Sequence, residues 1–356
     1  MAGRKIIYFA LIVYFIIFAF FMWNRNIFMG DIVFHTARIN EFVEGNLKWD
    51  YFNGNGDYIA IYPKLYHITA GIFSLFIGVQ NSIKLVSLLC ILLSGLLIFL
   101  MARMFDEGSA LVCFLFSFVF MTHFNYFFWG GFPSQLSEVF ALAAIFALLR
   151  FQGNLKVQLA ATLLFIGIIS LVHAFYLVVI IAPFFSAFLF LPEARKTTVL
   201  FFAMGLSVCV LLVLFTKMPA YLPYFIQHSD VIKDVLSDSM LLPRFLKLPV
   251  PGIIAAASAY FIIKKHGEDR MVKFLVGWLA LHLLLLLAFF IAGVRTVDIQ
   301  RTFEKIYVPF SLVGGLGIML AAKRLKISKI IVYLLIFAAS ALVIITEFSY
   351  HAVWIP

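Results

Sequence analysis

Long apolar runs recur along almost the whole of this 356-residue chain, and they leave few folds open. A membrane-spanning helix needs about 20 mostly apolar residues. Segments close to that description lie at Ile6–Trp23, Ser82–Ala102, Ser109–Trp129, Ser134–Leu149, Val157–Val172, Phe175–Leu191, Thr197–Phe215, Pro251–Ile263, Phe274–Val294, Ile306–Ala322 and Ile330–Ile345. Hydrophobic residues make up 64% of the chain and charged ones 12%, against about 25% charged in soluble domains. No aqueous core could hide that much apolar surface, so a water-soluble enzyme and a disordered chain are both excluded. The sequence predicts an all-α polytopic membrane protein with about eleven transmembrane helices. Ile6–Trp23 follows Arg4 and Lys5 but has a long apolar run and no small-residue cleavage site, so it reads as an uncleaved first helix. Leu65–Gly78 is too short to cross and reads as an interfacial or re-entrant segment.

Charge sets the expected orientation. The chain carries 27 Lys and Arg, 17 Asp and Glu, and a net charge of +10. With the N-terminus cytoplasmic, the inside segments are 1–5, 103–108, 150–156, 192–196, 264–273 and 323–329. They hold 15 basic residues and five acidic ones, so the outside is neutral. Basic cytoplasmic turns follow the positive-inside rule. The expectation is a multi-pass protein of the plasma membrane with an extracytoplasmic C-terminus. The charge is then an insertion signal and implies no nucleic acid. Residues 1–356 read as one membrane domain without an appended soluble domain. Its long outside loops are 24–64, which should hold interfacial helices, and 216–250. Cys90, Cys113 and Cys209 lie singly in apolar runs and suggest neither zinc nor a disulfide framework.

Three polar clusters fall on the outside. In the first, Asp31, His35 and Arg38 are spaced i, i+4, i+7, which places them within roughly 60° on one helical face. An N-cap Asp31 on an amphipathic helix would share that pattern. This loop closes through Asn53-Gly54-Asn55-Gly56, a turn signal, and Tyr62-Pro63, a helix start. The second cluster is Gly130-Gly131-Phe132-Pro133-Ser134, with Glu138 about one turn into the next helix. An acid at membrane depth is a functional candidate, and a first-turn acid favoured by the helix dipole is the alternative. The third places Asp298, Arg301 and Lys305 on one face entering the membrane. The cations could hold a phosphate at headgroup level, or snorkel at a helix end. His173 occupies an outside turn, where a lone histidine is more often structural than a substrate contact. His123 and His282 carry less weight.

In this order and on this side, the clusters resemble the GT-C class of membrane glycosyltransferases, which includes oligosaccharyltransferase catalytic subunits, protein O-mannosyltransferases and aminoarabinose transferases. The likeness extends to archaeal members and covers roughly residues 1–322. An acid after the first span matches Asp31. Tyr62-Pro63 closes the first loop, and Ala102-Arg103-Met104 matches the inner end of the second span. Gly130, Gly131 and Glu138 match the second outside loop. Arg301 before Tyr307-Val308-Pro309 matches a basic residue ahead of a Tyr-x-x-Pro span. The chain departs from the class in having one acid rather than a pair at Asp31, and no Asp-x-Asp-like run in the second loop. It also lacks the soluble domain carrying Trp-Trp-Asp-Tyr-Gly; Trp49-Asp50-Tyr51 stands elsewhere.

The resemblance implies an inverting transferase that moves a sugar from a polyprenyl-phosphate donor to a hydroxyl of a glycan, lipid or protein. Asp31 would be the general base. Arg301 and Lys305 would neutralise the phosphate, His35 and Arg38 would orient the base or the sugar, and Tyr62, Glu138, His173 and Asp298 would complete the pocket. No metal is required, and the sequence assigns no metal ligand, although Glu138 leaves room for a divalent ion. Two rival readings are a transporter or flippase of lipid-linked sugar, and a non-catalytic subunit of a glycan-assembly complex.

Overall fold

The computed structural model describes residues 32–46, 64–118, 131–173, 176–215, 249–291 and 305–353, and single positions between Phe9 and Trp23. Every regular element among them is helical. In chain order they are α1 (Ile32–Val43), α2 (Leu65–Ile77), α3 (Val79–Phe105), α4 (Ala110–Ser117), α5 (Phe132–Arg150), α6 (Leu155–His173), α7 (Tyr176–Val179) and α8 (Ile181–Phe190). A short 3₁₀ turn at Pro192–Ala194 leads into α9 (Arg195–Phe215), α10 (Pro249–His266), α11 (Arg270–Ile291), α12 (Tyr307–Arg324) and α13 (Lys329–Val353).

The apolar runs set these helices, and glycines divide them. Asn46 and Gly45 donate back to Glu41 and Phe42 at the end of α1, with Gly45 in the left-handed region at φ 71°, a Schellman stop. Gly78, at φ 78°, separates α2 from α3, a break that a side chain would oppose. The expected segment Leu65–Gly78 is therefore a 13-residue helix of its own, too short to span. At 27 residues, α3 is about 40 Å long and ample for a crossing.

α3, α5, α6 and Arg270–Phe289 of α11 are each long and apolar enough to cross a membrane. Tyr176–Phe190 and Pro192–Ser207 pass the same test together and meet at 120°. Leu65–Ile77 and Lys329–Val343 are shorter apolar helices. Most of the first expected span, residues 119–130 and nearly all of the loop 216–250 lie outside the described residues. The chain is a multi-pass membrane protein.

α5 is the most enclosed of these helices. It packs against α3 and α6, while α12 packs against α4 and α10, and α8 against α11. Hydrocarbon gives helices no hydrophobic reason to associate, so close approach and polar links must hold them. Small residues on α12 supply the approach. A Cβ on Gly315 would lie 2.8 Å from the Cys113 backbone, and one on Gly317 would lie 2.1 Å from Ser258 Cβ. Buried polar links add to this. Thr197 donates to Gln158 (2.6 Å), which donates to the Leu148 carbonyl (2.7 Å), and Ser186 donates to the Phe274 carbonyl (2.7 Å). At one end the turns close on each other. Asp106 accepts from Ser109 (2.5 Å) and Lys323 (3.0 Å), and Tyr333 donates to the Gly108 carbonyl (2.9 Å).

Gly315→Ala is expected to force α4 and α12 apart at a cost of about 1–3 kcal/mol. It should lower the melting temperature in detergent by several degrees. Gly167→Ala, whose Cβ would meet nothing within 4 Å, should leave the melting temperature unchanged or slightly raised.

Candidate functional site

Two polar centres occupy the end of the bundle opposite the Asp106 turn, and both involve α5. The deeper one surrounds Glu138, which is 3% exposed. Its carboxylate accepts from Lys305 and from the Tyr307 hydroxyl, and from the Tyr176 hydroxyl at 3.0 Å. Lys305 is equally buried, and its ammonium also lies 5.0 Å from the centre of the Tyr176 ring. Three donors thus occupy three of the roughly four lone-pair positions of the carboxylate. A charge at this depth persists only when paired and hydrogen-bonded. Glu138 comes from the second turn of α5, Tyr176 from the first residue of α7, and Lys305 and Tyr307 from the start of α12. A cavity of about 20 Å³ adjoins the pair and is also lined by Trp278 and His282 of α11. That volume accommodates one water.

The shallower centre joins α1 to α2. The buried face of α1 carries Ile32, His35, Arg38 and Ile39, so two of its four inward residues are polar. His35 Nδ1 lies 2.9 Å from His67 Nε2 of α2. Arg38 sits 5.4 Å over the Phe34 ring and donates to Glu41 at 2.6 Å. Lys64, just ahead of α2, is 2% exposed. A Cβ on Gly71 would meet the Phe42 ring at 2.1 Å, so α1 lies directly on α2. Burial, followed by the charges of His35, Lys64 and Arg38, pushes the His67 imidazole down to about 2, which keeps it neutral. The two imidazoles, a buried lysine and an arginine form a basic, largely desolvated cluster suited to an anion.

Phe132 couples the two centres. It is fully buried at the start of α5, stacks on Tyr66 at 6.0 Å and meets His35 edge-on at 5.8 Å. Glu138 follows six residues later, about 9 Å further along the axis.

Of the residues singled out by sequence, the structure joins Glu138 to Lys305 and packs His35 and Arg38 on one helix. Lys305 is enclosed within the protein against the Glu138 carboxylate. His173 ends α6, three residues before Tyr176, and is half-buried. Asp31, Tyr62, Asp298 and Arg301 lie outside the described residues. Lys64, His67, Tyr176 and Tyr307 enter the two centres although sequence gave them no role. Their one advance signal was position, beside Tyr62-Pro63, beside His173 and at the head of the Tyr-x-x-Pro helix. Among the described residues, no three His, Cys, Asp or Glu side chains gather as a metal-binding group.

No protein-family model matches the chain, and no curated protein matches it in sequence. Among solved structures, ArnT from Cupriavidus metallidurans bound to undecaprenyl phosphate superposes with a TM-score of 0.56 at 13% identity. The match covers 86% of this chain and 60% of that one. The chain shares the fold of ArnT. The resemblance read from the motifs thus holds at the level of fold, and the chain spans about 60% of the length of that structure.

Removing one partner of the buried pair leaves the other charged and unpaired, so Glu138→Gln or Lys305→Met should each cost about 3–5 kcal/mol. The double variant should recover much of that loss in a double-mutant cycle on thermal unfolding. Acid acts on the shallower centre. The folded-state value of His67 lies below its ordinary 6.5, so its contribution is complete above that pH and falls away as the pH drops below it. Protease access to the α1–α2 junction is therefore expected to rise from pH 7 to pH 5, and His67→Gln should flatten that rise.

Proposed function

We propose that the protein is an inverting glycosyltransferase taking its sugar from a polyprenyl-phosphate donor and passing it to a hydroxyl acceptor outside the membrane. The observation that carries this reading is a buried basic cluster, Arg38, Lys64 and the His35–His67 pair, within a fold shared with a protein that binds undecaprenyl phosphate. The topology proposed with it is the eleven-span arrangement, N-terminus inside and C-terminus outside. The pocket end then faces outward and the Asp106 end faces the cytoplasm.

In the proposed reaction, Asp31 takes the proton of the acceptor hydroxyl. The acceptor oxygen bonds to the anomeric carbon from the face opposite the phosphate. The bond from that carbon to the phosphate oxygen breaks, and its electron pair leaves on polyprenyl phosphate. Negative charge therefore grows on the leaving phosphate. Lys64 and Arg38, helped by Arg301, stabilise it through fixed donors in a dry site. Lys305 is already committed to Glu138, so its part is to hold the start of α12, and with it the segment bearing Arg301 and Asp298. Tyr62 and His173 complete the sugar pocket. No metal takes part in the proposed reaction.

Asp31→Asn is expected to lower transfer of a radiolabelled sugar from its polyprenyl-phosphate donor by at least about 10²-fold while the protein still inserts. Near-wild-type turnover would remove Asp31 as the base. Lys64→Met should weaken donor binding and also slow turnover of bound donor, because the charge it faces grows as the bond breaks. Unchanged affinity would remove the pocket from the donor site.

A further inference from the structure

An apolar groove lies at the opposite end of the bundle. α12 and α13 diverge from their connecting turn and leave a groove of about 260 Å³ lined by Ile318, Ala321, Leu325, Ile327, Leu335 and Ile336. Ala322 and Val332 close its floor. No polar side chain lines it. From Ile318 to Leu325 it follows about 10 Å of helix.

The mouth of this groove is cationic. The turn and the helix ends beside it contain Lys323, Arg324, Lys326 and Lys329, all exposed. Two of the four serve the fold. Lys323 pairs with Asp106 at 3.0 Å, and the Lys329 ammonium lies close to Gly108 in the same turn. For Asp106, burial acting alone would raise the carboxyl, but hydrogen bonds from Ser109 and Lys323, and the Lys323 charge, hold it below its ordinary value, so it stays ionised. Arg324 and Lys326 have no acidic partner among the described residues. Lys326 adopts φ 56°, a left-handed conformation uncommon for a lysine, at the tip of the turn. Two unpaired cations thus stand where an apolar groove meets the membrane surface.

We infer that this groove binds one anionic phospholipid, with an apolar chain between α12 and α13 and the phosphate at Arg324 and Lys326. The groove would leave a void if no chain filled it, and a lipid tail is the apolar molecule available at that depth. Charge then selects among lipids. A polybasic segment beside a spanning helix attracts anionic headgroups by about 1 kcal/mol per cation. The insertion signal accounts for cations in this turn but not for an apolar groove beneath them. The site stands apart from the donor pocket and does not depend on the transfer reaction.

The test uses the full chain purified in detergent and stripped of lipid, titrated with dioleoyl phosphatidylglycerol or dioleoyl phosphatidylcholine and read by native mass spectrometry. The wild type should retain one phosphatidylglycerol with about thirtyfold preference over phosphatidylcholine, the fold-change that two cations at about 1 kcal/mol each produce. Arg324→Gln with Lys326→Gln should abolish the preference. Ala321→Phe, which fills the groove and leaves every charge in place, should reduce retention of both lipids. Equal retention of both lipids by the wild type would overturn the inference, as would an undiminished preference in the double variant. So would a dimer cross-linked through α12 and α13, since a second copy would then cover the groove. If the charge variants fail to fold, Ala321→Phe decides: undiminished retention of phosphatidylglycerol refutes the site. Sugar transfer by the double variant should equal that of the wild type, so loss of lipid selectivity with intact transfer separates this site from the donor pocket.

Discussion

Glu138 and Lys305 are 167 residues apart in sequence, yet they meet inside the bundle with both side chains almost wholly enclosed. Two unpaired charges at that depth would each be strongly destabilising, so the pair makes three segments of the chain interdependent. α5 brings the carboxylate, α12 brings Lys305 and Tyr307, and α7 brings Tyr176. The tyrosine hydroxyls satisfy the carboxylate and let the pair persist where attraction between two charges alone would not offset their desolvation. This contact fixes the height of α12 against α5, and the segment ahead of α12 carries Arg301.

The second centre follows from the first because both involve α5. Phe132 at its start packs on Tyr66 and His35, so the helix that carries Glu138 also braces α1 and α2. A basic pocket placed on two short helices alone would be loosely held, since neither is long enough to stand independently. Braced by α5, Arg38, Lys64 and the His pair have a rigid wall behind them. Catalysis of the proposed kind depends on donors fixed in advance around a growing charge, and not on the number of cations present.

The sequence made the helical membrane fold legible because composition and apolar runs are local properties. It also exposed Glu138 and Lys305 separately, since each is conspicuous in an apolar context. Their pairing was not legible, because it depends on how α5 and α12 pack. The same holds for Lys64 and His67. They sit beside Tyr62-Pro63 as an ordinary helix start, and their burial, with His35 set against His67, depends on tertiary packing. The run Phe175–Leu191, a single span by hydropathy, is divided at Ile180 into α7 and α8, three residues before Pro183. Hydropathy does not register a local change in backbone angle. The short segment Leu65–Gly78 was legible by length, and Gly78 supplies the physical reason for its end.

In the proposed function, a lipid-linked phosphate binds at the α1–α2 face braced by Phe132. Photocrosslinking tests it most directly. A polyprenyl phosphate bearing a benzophenone next to the phosphate would be irradiated with the full-length protein in membranes, and the attachment sites mapped by mass spectrometry. The account predicts adducts in α1, in the first turns of α2 and at the start of α5, suppressed by excess unlabelled polyprenyl phosphate. Competed adducts confined to other helices, with none on those three segments, would contradict it.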